Sequence, residues 1–123
     1  MTVEQNDKID FVAFNRKSGD VHLIISDHLD WDENEGAHLL ALQDKLNTYL
    51  EFVESGQLYV EYSRAIGKKI YFDVIGKFPL SDEAAKFYRL AVNKIREYGY
   101  SLEFLHLTGN RIRLPGQLSQ EDR

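Results

Sequence analysis

The strongest constraint on the fold is a pair of helical segments, each flanked by segments with the alternation of a β-strand. In the first helix, apolar residues recur every three or four positions and form one stripe of Leu39, Leu42, Leu46, Tyr49, Leu50 and Val53. The second helix has a similar stripe of Ala84, Tyr88, Ala91, Val92, Ile95 and Tyr98. Such stripes are buried against another layer of structure, so the pattern predicts helices packed on a sheet.

Four segments, at 8–15, 20–26, 68–77 and 100–107, have the alternation of strands. The first two are separated by a turn-forming stretch that contains Gly19, which predicts an antiparallel hairpin. Each helix then joins two strands by a right-handed crossover, and if the sheet order follows the chain order both helices pack on the same face. The prediction is therefore an α+β fold, with element order β-β-α-β-α-β, a four-stranded mixed sheet and two helices packed on one face. Residues 57–66 form either a short helical turn or an irregular connection.

The ends and polar sides of the helices also have recognisable residues. Asp32 and Glu35 have the spacing of a capping box before the first helix, and Ser81 is the predicted N-cap of the second. The polar side of the first helix is predicted to carry Asp44, Lys45, Thr48, Glu51 and Glu54. Tyr71 and Ile75 fall on the sheet face opposite the helices, and Leu40, Phe52 and Leu90 fall off the helix stripes. Together these apolar residues predict a homodimer.

The negative charge of the chain is concentrated in one short segment. Among 123 residues there are 20 acidic and 15 basic side chains, for a net charge of −5. The five acids between positions 27 and 35 account for this whole excess, and they are Asp27, Asp30, Asp32, Glu33 and Glu35. Phosphate backbones and anionic membranes are bound mainly through Lys and Arg, so we predict neither nucleic acid nor membrane as a partner.

The absence of cysteine excludes disulfides, thiolate nucleophiles and Cys-ligated metals. The polar, acidic N-terminus is unlike a signal peptide, and no apolar run approaches the ~20 residues of a membrane helix. A cytoplasmic location is therefore predicted. The sequence contains no nucleophile elbow, phosphate-binding loop or dinucleotide fingerprint, and it predicts neither a catalytic residue nor a cofactor. His22 and His106 lie in predicted strands and receive no role.

The acidic segment is the candidate site. Its predicted binding residues are Asp27, Asp30, Trp31, Asp32, Glu33 and Glu35, with Trp31 anchoring the segment on the core. Carboxylates and imidazoles on a strand-to-helix connection also suit a divalent cation, for which the alternative ligand set is His28, Asp30, Asp32 and His38. The spacing matches neither an EF-hand loop nor a helical zinc pair, and solvated acids that cap a helix are the more ordinary interpretation.

Five stretches carry a resemblance to a known family: KIDFV at 8–12, ISDHLDW at 25–31, LQDKLNTYL at 42–50, FVESG at 52–56 and GKKI at 67–70. They resemble a small bacterial family of single-domain proteins with no assigned activity. The resemblance implies a bacterial domain and brings no site residues with it. It reaches to about residue 107, and we predict one domain at 1–108 and a polar, frayed tail at 109–123. Ile112, Leu114 and Leu118 give this tail the means to dock on the surface.

Two functions follow from these observations. The first is a non-enzymatic protein-interaction module, of which a toxin-neutralising, immunity-type protein is one form. Its acidic segment would bind a basic protein, or the chain would bind itself. The alternative is a metal- or small-molecule-binding enzyme that uses the acidic and histidine cluster between Asp27 and His38.

Overall fold

A computed structural model describes residues 9–107 of the chain. The strands are β1 (Phe11–Phe14), β2 (Val21–Asp27), β3 (Ile70–Gly76) and β4 (Ser101–His106). The helices are α1 (Glu35–Glu54), α2 (Gln57–Glu61) and α3 (Asp82–Glu97), and a single 3-10 turn covers Ser63–Ala65. The predicted α+β fold and the order of its strands and two long helices are confirmed, and α2 is a third helix between them. The predicted tail at 109–123 lies outside the described residues.

The four strands form one mixed sheet in the order β1-β2-β3-β4. β1 and β2 are an antiparallel hairpin in which Phe14 lies opposite Val21. β2, β3 and β4 are parallel, with Leu23, Phe72 and Leu102 side by side across them. Sequential strands are thus neighbours, and α1 and α3 are the two crossovers.

The main core lies between the sheet and the two long helices. Its buried side chains come from alternate strand positions and from the helix stripes, and they include Leu23, Phe72, Leu42, Tyr49, Tyr88 and Ile95. Since this one core contains side chains of both long helices, the two pack on one face of the sheet, as predicted.

The Ser81 Oγ accepts a hydrogen bond from Ala84 N at 3.1 Å, so the predicted N-cap of α3 is confirmed.

Lys45 is buried, although the sequence pattern placed it on the polar side of α1. Its Nζ donates to the Asp10 Oδ1 at 3.0 Å, in an ion pair that is almost fully shielded from water. Tyr49, one turn further along α1, donates its hydroxyl to Ile24 O at 2.7 Å and accepts from Asp10 N at 2.9 Å. The prediction for Lys45 was wrong because helical spacing does not show that the carboxylate of Asp10, just before β1, lies over this part of the helix.

The connection at 57–66 is the helical one of the two forms predicted. It consists of α2 and the 3-10 turn, and Leu58 and Ala65 are fully buried within it. Gly56 separates α1 from α2 with a φ of 87°, a left-handed conformation that glycine adopts without strain. Two buried anchors hold this connection against the main core.

The opposite face of the sheet has its own small apolar cluster, which we call the open face. Ala13, Ile24 and Ile75 are buried there, and Phe11, Leu105 and Leu107 are partly buried against them. The strand side chains on this face lie away from α1 and α3, as the sequence predicted for Ile75.

Candidate functional site

The acidic segment connects the carboxyl end of β2 to the start of α1. Asp27 is the last residue of β2, and its carbonyl oxygen accepts a hydrogen bond from Lys77 N at 2.9 Å, just beyond β3. The segment therefore lies where the parallel strands end. This edge is the usual location of binding sites in open sheets with helical crossovers.

Asp27 and His38 form a buried pair that links the two ends of the segment. Each is only 3% exposed, and the His38 Nε2 lies 2.7 and 2.8 Å from the two Asp27 carboxylate oxygens. The His38 Nδ1 lies 2.9 Å from Asp30 O, which is an acceptor, so Nδ1 carries a proton. A further proton is then shared between Nε2 and the Asp27 carboxylate. Both ring nitrogens are occupied by the protein itself.

Trp31 closes this pair from one side. Its ring stacks on the His38 imidazole with centroids 3.5 Å apart and planes inclined by 13°. Trp31 is buried and belongs to the main core, as predicted for a residue that anchors the segment. We call Asp27, His38 and Trp31 together the pin, because they attach the segment to both β2 and α1.

The remaining acids lie on the surface of the segment. Asp30, Asp32 and Glu33 are exposed and Glu35 is half-buried, and none of the four forms an ion pair with a described residue. The Asp30 Oδ1 accepts from the backbone nitrogens of Asp32 and Glu33, at 3.1 and 3.3 Å, which fixes a tight turn. We call these four residues the acidic loop.

The predicted capping box is wrong. Asn34 is the N-cap of α1 and makes no side-chain capping bond. In the turn before the helix, the backbone nitrogens of Asp32 and Glu33 donate to the Asp30 side chain. Glu35 does lie in the first turn of α1, where a carboxylate interacts favourably with the positive end of the helix.

A surface cleft of about 410 Å³ opens beside the acidic loop. Its walls combine acidic and polar groups with aliphatic side chains, contributed by Leu29, Asp30, Glu33, Asn34, Ala37, His38 and Ala41. A lysine or arginine side chain has this same combination, an aliphatic stem and a cationic end. The chemistry of the cleft therefore suits a basic side chain.

The structure separates the four residues of the alternative metal set. His38 is buried in the pin, whereas His28, Asp30 and Asp32 are exposed. Within residues 9–107, no three His, Asp or Glu side chains lie close enough together to hold a metal ion. The two ring nitrogens of His38 are already used, which leaves it no lone pair for a cation in this arrangement.

Tyr88 was predicted only as a core residue, but its hydroxyl lies near Asp27. This hydroxyl is buried and has no hydrogen-bond partner among the described residues. Burial, and then the negative charge of Asp27, raise the pKa of the Tyr88 phenol well above its ordinary value. Helical spacing gave no sign of this contact, because Asp27 approaches from another element.

A second buried histidine pair lies on the open face of the sheet. The His22 Nδ1 is 2.6 Å from the Asp73 Oδ2, and the Tyr71 ring stacks on His22 at a centroid distance of 4.6 Å. The sequence pattern predicted no role for His22 and no partner for Asp73. The available signal was a lone aspartate in the middle of an apolar strand, since a buried carboxylate requires a partner.

No helix in the described part of the chain is long and apolar enough to cross a bilayer. Searches of curated proteins and of solved structures found no match to this sequence. A model of a family of unknown function, DUF6572, matches residues 1–108, which is most of the chain. The resemblance to a family without an assigned activity is thus confirmed, and the chain belongs to DUF6572.

Proposed function

We propose that this protein is a non-enzymatic interaction module that binds a basic protein through the acidic loop. The observation that carries the proposal is the contrast within one segment: the buried Asp27 carboxylate is paired with His38, while the exposed Asp30, Asp32 and Glu33 have no cationic partner among residues 9–107. The pin holds these carboxylates in one arrangement before a partner arrives. A preorganised surface loses little conformational entropy on binding.

The state of His38 favours binding over catalysis. A general base needs a free nitrogen within reach of its substrate. The His38 nitrogens are held by Asp27 and by Asp30 O, and the ring is covered by Trp31. The most reactive residue of the segment therefore acts as a structural group in this proposal.

Electrostatics defines the partner. Four carboxylates on a short loop attract a cationic surface from a distance and increase the association rate, an effect that salt weakens. The cleft beside the loop accepts one Lys or Arg side chain of that surface. A basic toxin neutralised by this protein is the concrete form that we propose.

The test compares capture by wild-type protein with capture by a variant of the acidic loop. Tagged protein is recovered from its own cells at low salt, and bound proteins are identified by mass spectrometry. The loop variant carries Asp30→Asn, Asp32→Asn and Glu33→Gln, which changes the net charge from −5 to −2. The control has the same net charge and carries Glu51→Gln, Asp82→Asn and Glu97→Gln, at exposed positions on the helices.

We expect a basic protein that binds wild type and the control but is lost from the loop variant. With the purified partner, the loop variant should associate about tenfold more slowly and with a weaker salt dependence. Equal association rates for the loop variant and the control would contradict the proposal.

Self-association is a second candidate, favoured by exposed leucines on the two long helices. Leu40 on α1 is 58% exposed and Leu90 on α3 is 72% exposed, whereas most leucines of the described chain are at least partly buried. Burial of such side chains between two copies would stabilise a homodimer. Sedimentation equilibrium tests this: we expect twice the chain mass for wild type and the monomer mass for Leu90→Gln. A wild-type monomer would contradict it.

A further inference from the structure

We propose that the acidic loop of one copy of this chain binds a cluster of basic side chains at the opposite end of a second copy. We call this cluster the basic end, and its members are Arg16, Lys17, Arg64, Lys68 and Lys69. The proposal rests on the proposed function, because it requires an acidic loop that binds cationic groups, and it names a partner for that loop.

The fold assembles the basic end from two connections, the turn between β1 and β2 and the residues that precede β3. The Lys68 Nζ donates to Ser18 O at 3.4 Å, which joins the two connections. The Arg64 guanidinium lies 4.1 Å from the centroid of the Phe14 ring, at the end of β1. All five basic residues are exposed. A chain with a net charge of −5 therefore has one locally basic surface.

The cationic groups of this surface are available to an anion from outside the chain. Within residues 9–107, Lys17, Arg64, Lys68 and Lys69 form no ion pair. Asp20, in the same turn as Lys17, is half-buried, and its Oδ1 accepts a hydrogen bond from the Lys69 backbone nitrogen at 3.2 Å. The structure thus leaves the basic end in the same state as the acidic loop, exposed and with charges that are not neutralised.

The two charged surfaces lie too far apart to neutralise each other within one chain. The basic end lies where β2 and β3 begin, and the acidic loop follows the other end of β2. β2 has seven residues, so its two ends are about 20 Å apart. Salt screens exposed charges over about 8 Å at physiological ionic strength. Only a second molecule can bring the two surfaces into contact.

The two surfaces also complement each other in charge and shape. The acidic loop has four carboxylates, against which Lys77 is an exposed base at the same end of the sheet. The cleft beside the loop has aliphatic walls and an acidic edge, which suit the stem and the ammonium group of Lys17 or Lys68. An isolated surface ion pair contributes little, whereas several opposite charges in one contact fix its orientation and increase the association rate.

Contact between two unlike surfaces is heterologous, so a pair of copies retains one unoccupied acidic loop and one unoccupied basic end. Further copies can therefore add at both ends. A basic protein that binds the acidic loop would compete with the basic end of the next copy. Self-assembly and partner binding thus exclude each other at any one loop.

Sedimentation equilibrium of the full-length chain tests the proposal. All chains carry Leu90→Gln, which removes an exposed leucine from the helices and with it any association through that side chain. The loop variant adds Asp32→Lys and Glu33→Lys. The basic-end variant adds Lys17→Glu and Lys68→Glu, which changes the net charge from −5 to −9.

A matched control has the same net charge as the basic-end variant and carries Arg89→Glu and Lys94→Glu, at exposed positions on α3. At low salt, we expect the mass of the Leu90→Gln chain and of this control to rise above the monomer mass with increasing concentration. High salt should return both to monomers. The loop variant and the basic-end variant should each associate at least about tenfold more weakly than the control.

An equimolar mixture of the two charge-reversed variants provides the sharpest result. It contains one unaltered acidic loop and one unaltered basic end, on different chains, so we expect dimers and nothing larger. This recovery would also show that both variants fold. The salt dependence of the Leu90→Gln chain needs no substitution in either charged surface.

Equal association of the basic-end variant and the control would overturn the proposal, and so would a mixture that remains monomeric. A Leu90→Gln chain that is monomeric at low salt would also overturn it and would assign the basic end to an external anion. The proposed function fails separately, because capture of a basic protein by the acidic loop does not depend on Lys17 or Lys68. A monomeric chain that captures such a protein would overturn self-assembly alone.

Discussion

Removal of the His38 side chain should destabilise the fold strongly, because it leaves a carboxylate buried without its partner. In His38→Ala, the 3% exposed Asp27 side chain would retain one hydrogen bond, from Leu29 N at 3.2 Å. Breaking one side of a buried ion pair costs about 3–5 kcal/mol, and loss of the stack on Trp31 adds about 0.5–1.5 kcal/mol. Against a typical total of roughly 5–15 kcal/mol, this is a large fraction of the free energy of unfolding.

The assay is urea unfolding near neutral pH, monitored by far-ultraviolet circular dichroism. Tryptophan fluorescence is unsuitable, because the single tryptophan, Trp31, stacks on the residue that is changed. The double variant Asp27→Asn with His38→Ala provides the control. It lacks the buried charge and should recover at least about 1 kcal/mol relative to His38→Ala alone. A loss below about 1 kcal/mol in His38→Ala, with no recovery in the double variant, would refute the pin as a stabilising element.

Three further predictions concern buried groups elsewhere in the fold. Tyr49→Phe loses two hydrogen bonds and should cost about 1–3 kcal/mol, whereas Tyr88→Phe removes an unpartnered hydroxyl and should be neutral or slightly stabilising. Urea unfolding compares the two variants, and an equal loss of stability would contradict the hydrogen bonding described for the two hydroxyls. Burial raises the pKa of both phenols, so stability should be complete below about pH 10 and fall above it by roughly 1.4 kcal/mol per pH unit for each tyrosine. A free energy of unfolding that stays constant between about pH 8 and 11 would contradict the raised pKa of these two phenols. Gly76→Ala would place its Cβ 2.6 Å from the Phe104 ring and should cost about 1–3 kcal/mol in thermal unfolding, partly recovered by Phe104→Leu.

The sequence predicted the elements of this fold well, because their signals are local. The stripe of α3 and its cap at Ser81 depend on residues three or four positions apart, and both are present in the structure. The position of Trp31 in the core also followed from residue type alone. The sheet follows chain order, which is the condition under which two right-handed crossovers place both helices on one face.

The predictions failed where distant residues meet. Lys45 looks like a solvated helix residue until the carboxylate of Asp10, 35 positions away, is brought to it. Asp27 looks like one of five loop acids, and only the folded chain shows that His38 takes it out of the surface set. The sequence therefore located a segment rich in acids at the end of β2 but not the division between its buried and exposed acids.

The division between the buried Asp27 and the exposed acids determines which positions of the segment tolerate substitution. The buried bonds between Asp27 and His38 fix the backbone of the loop whatever the exposed side chains are. Asp32 and Glu33 contribute only their backbone nitrogens to the turn at Asp30. Their side chains can therefore be exchanged, singly or together, at a stability cost within about 0.5 kcal/mol. The segment therefore combines a fixed backbone with replaceable surface side chains, so its surface charge can change without a new fold.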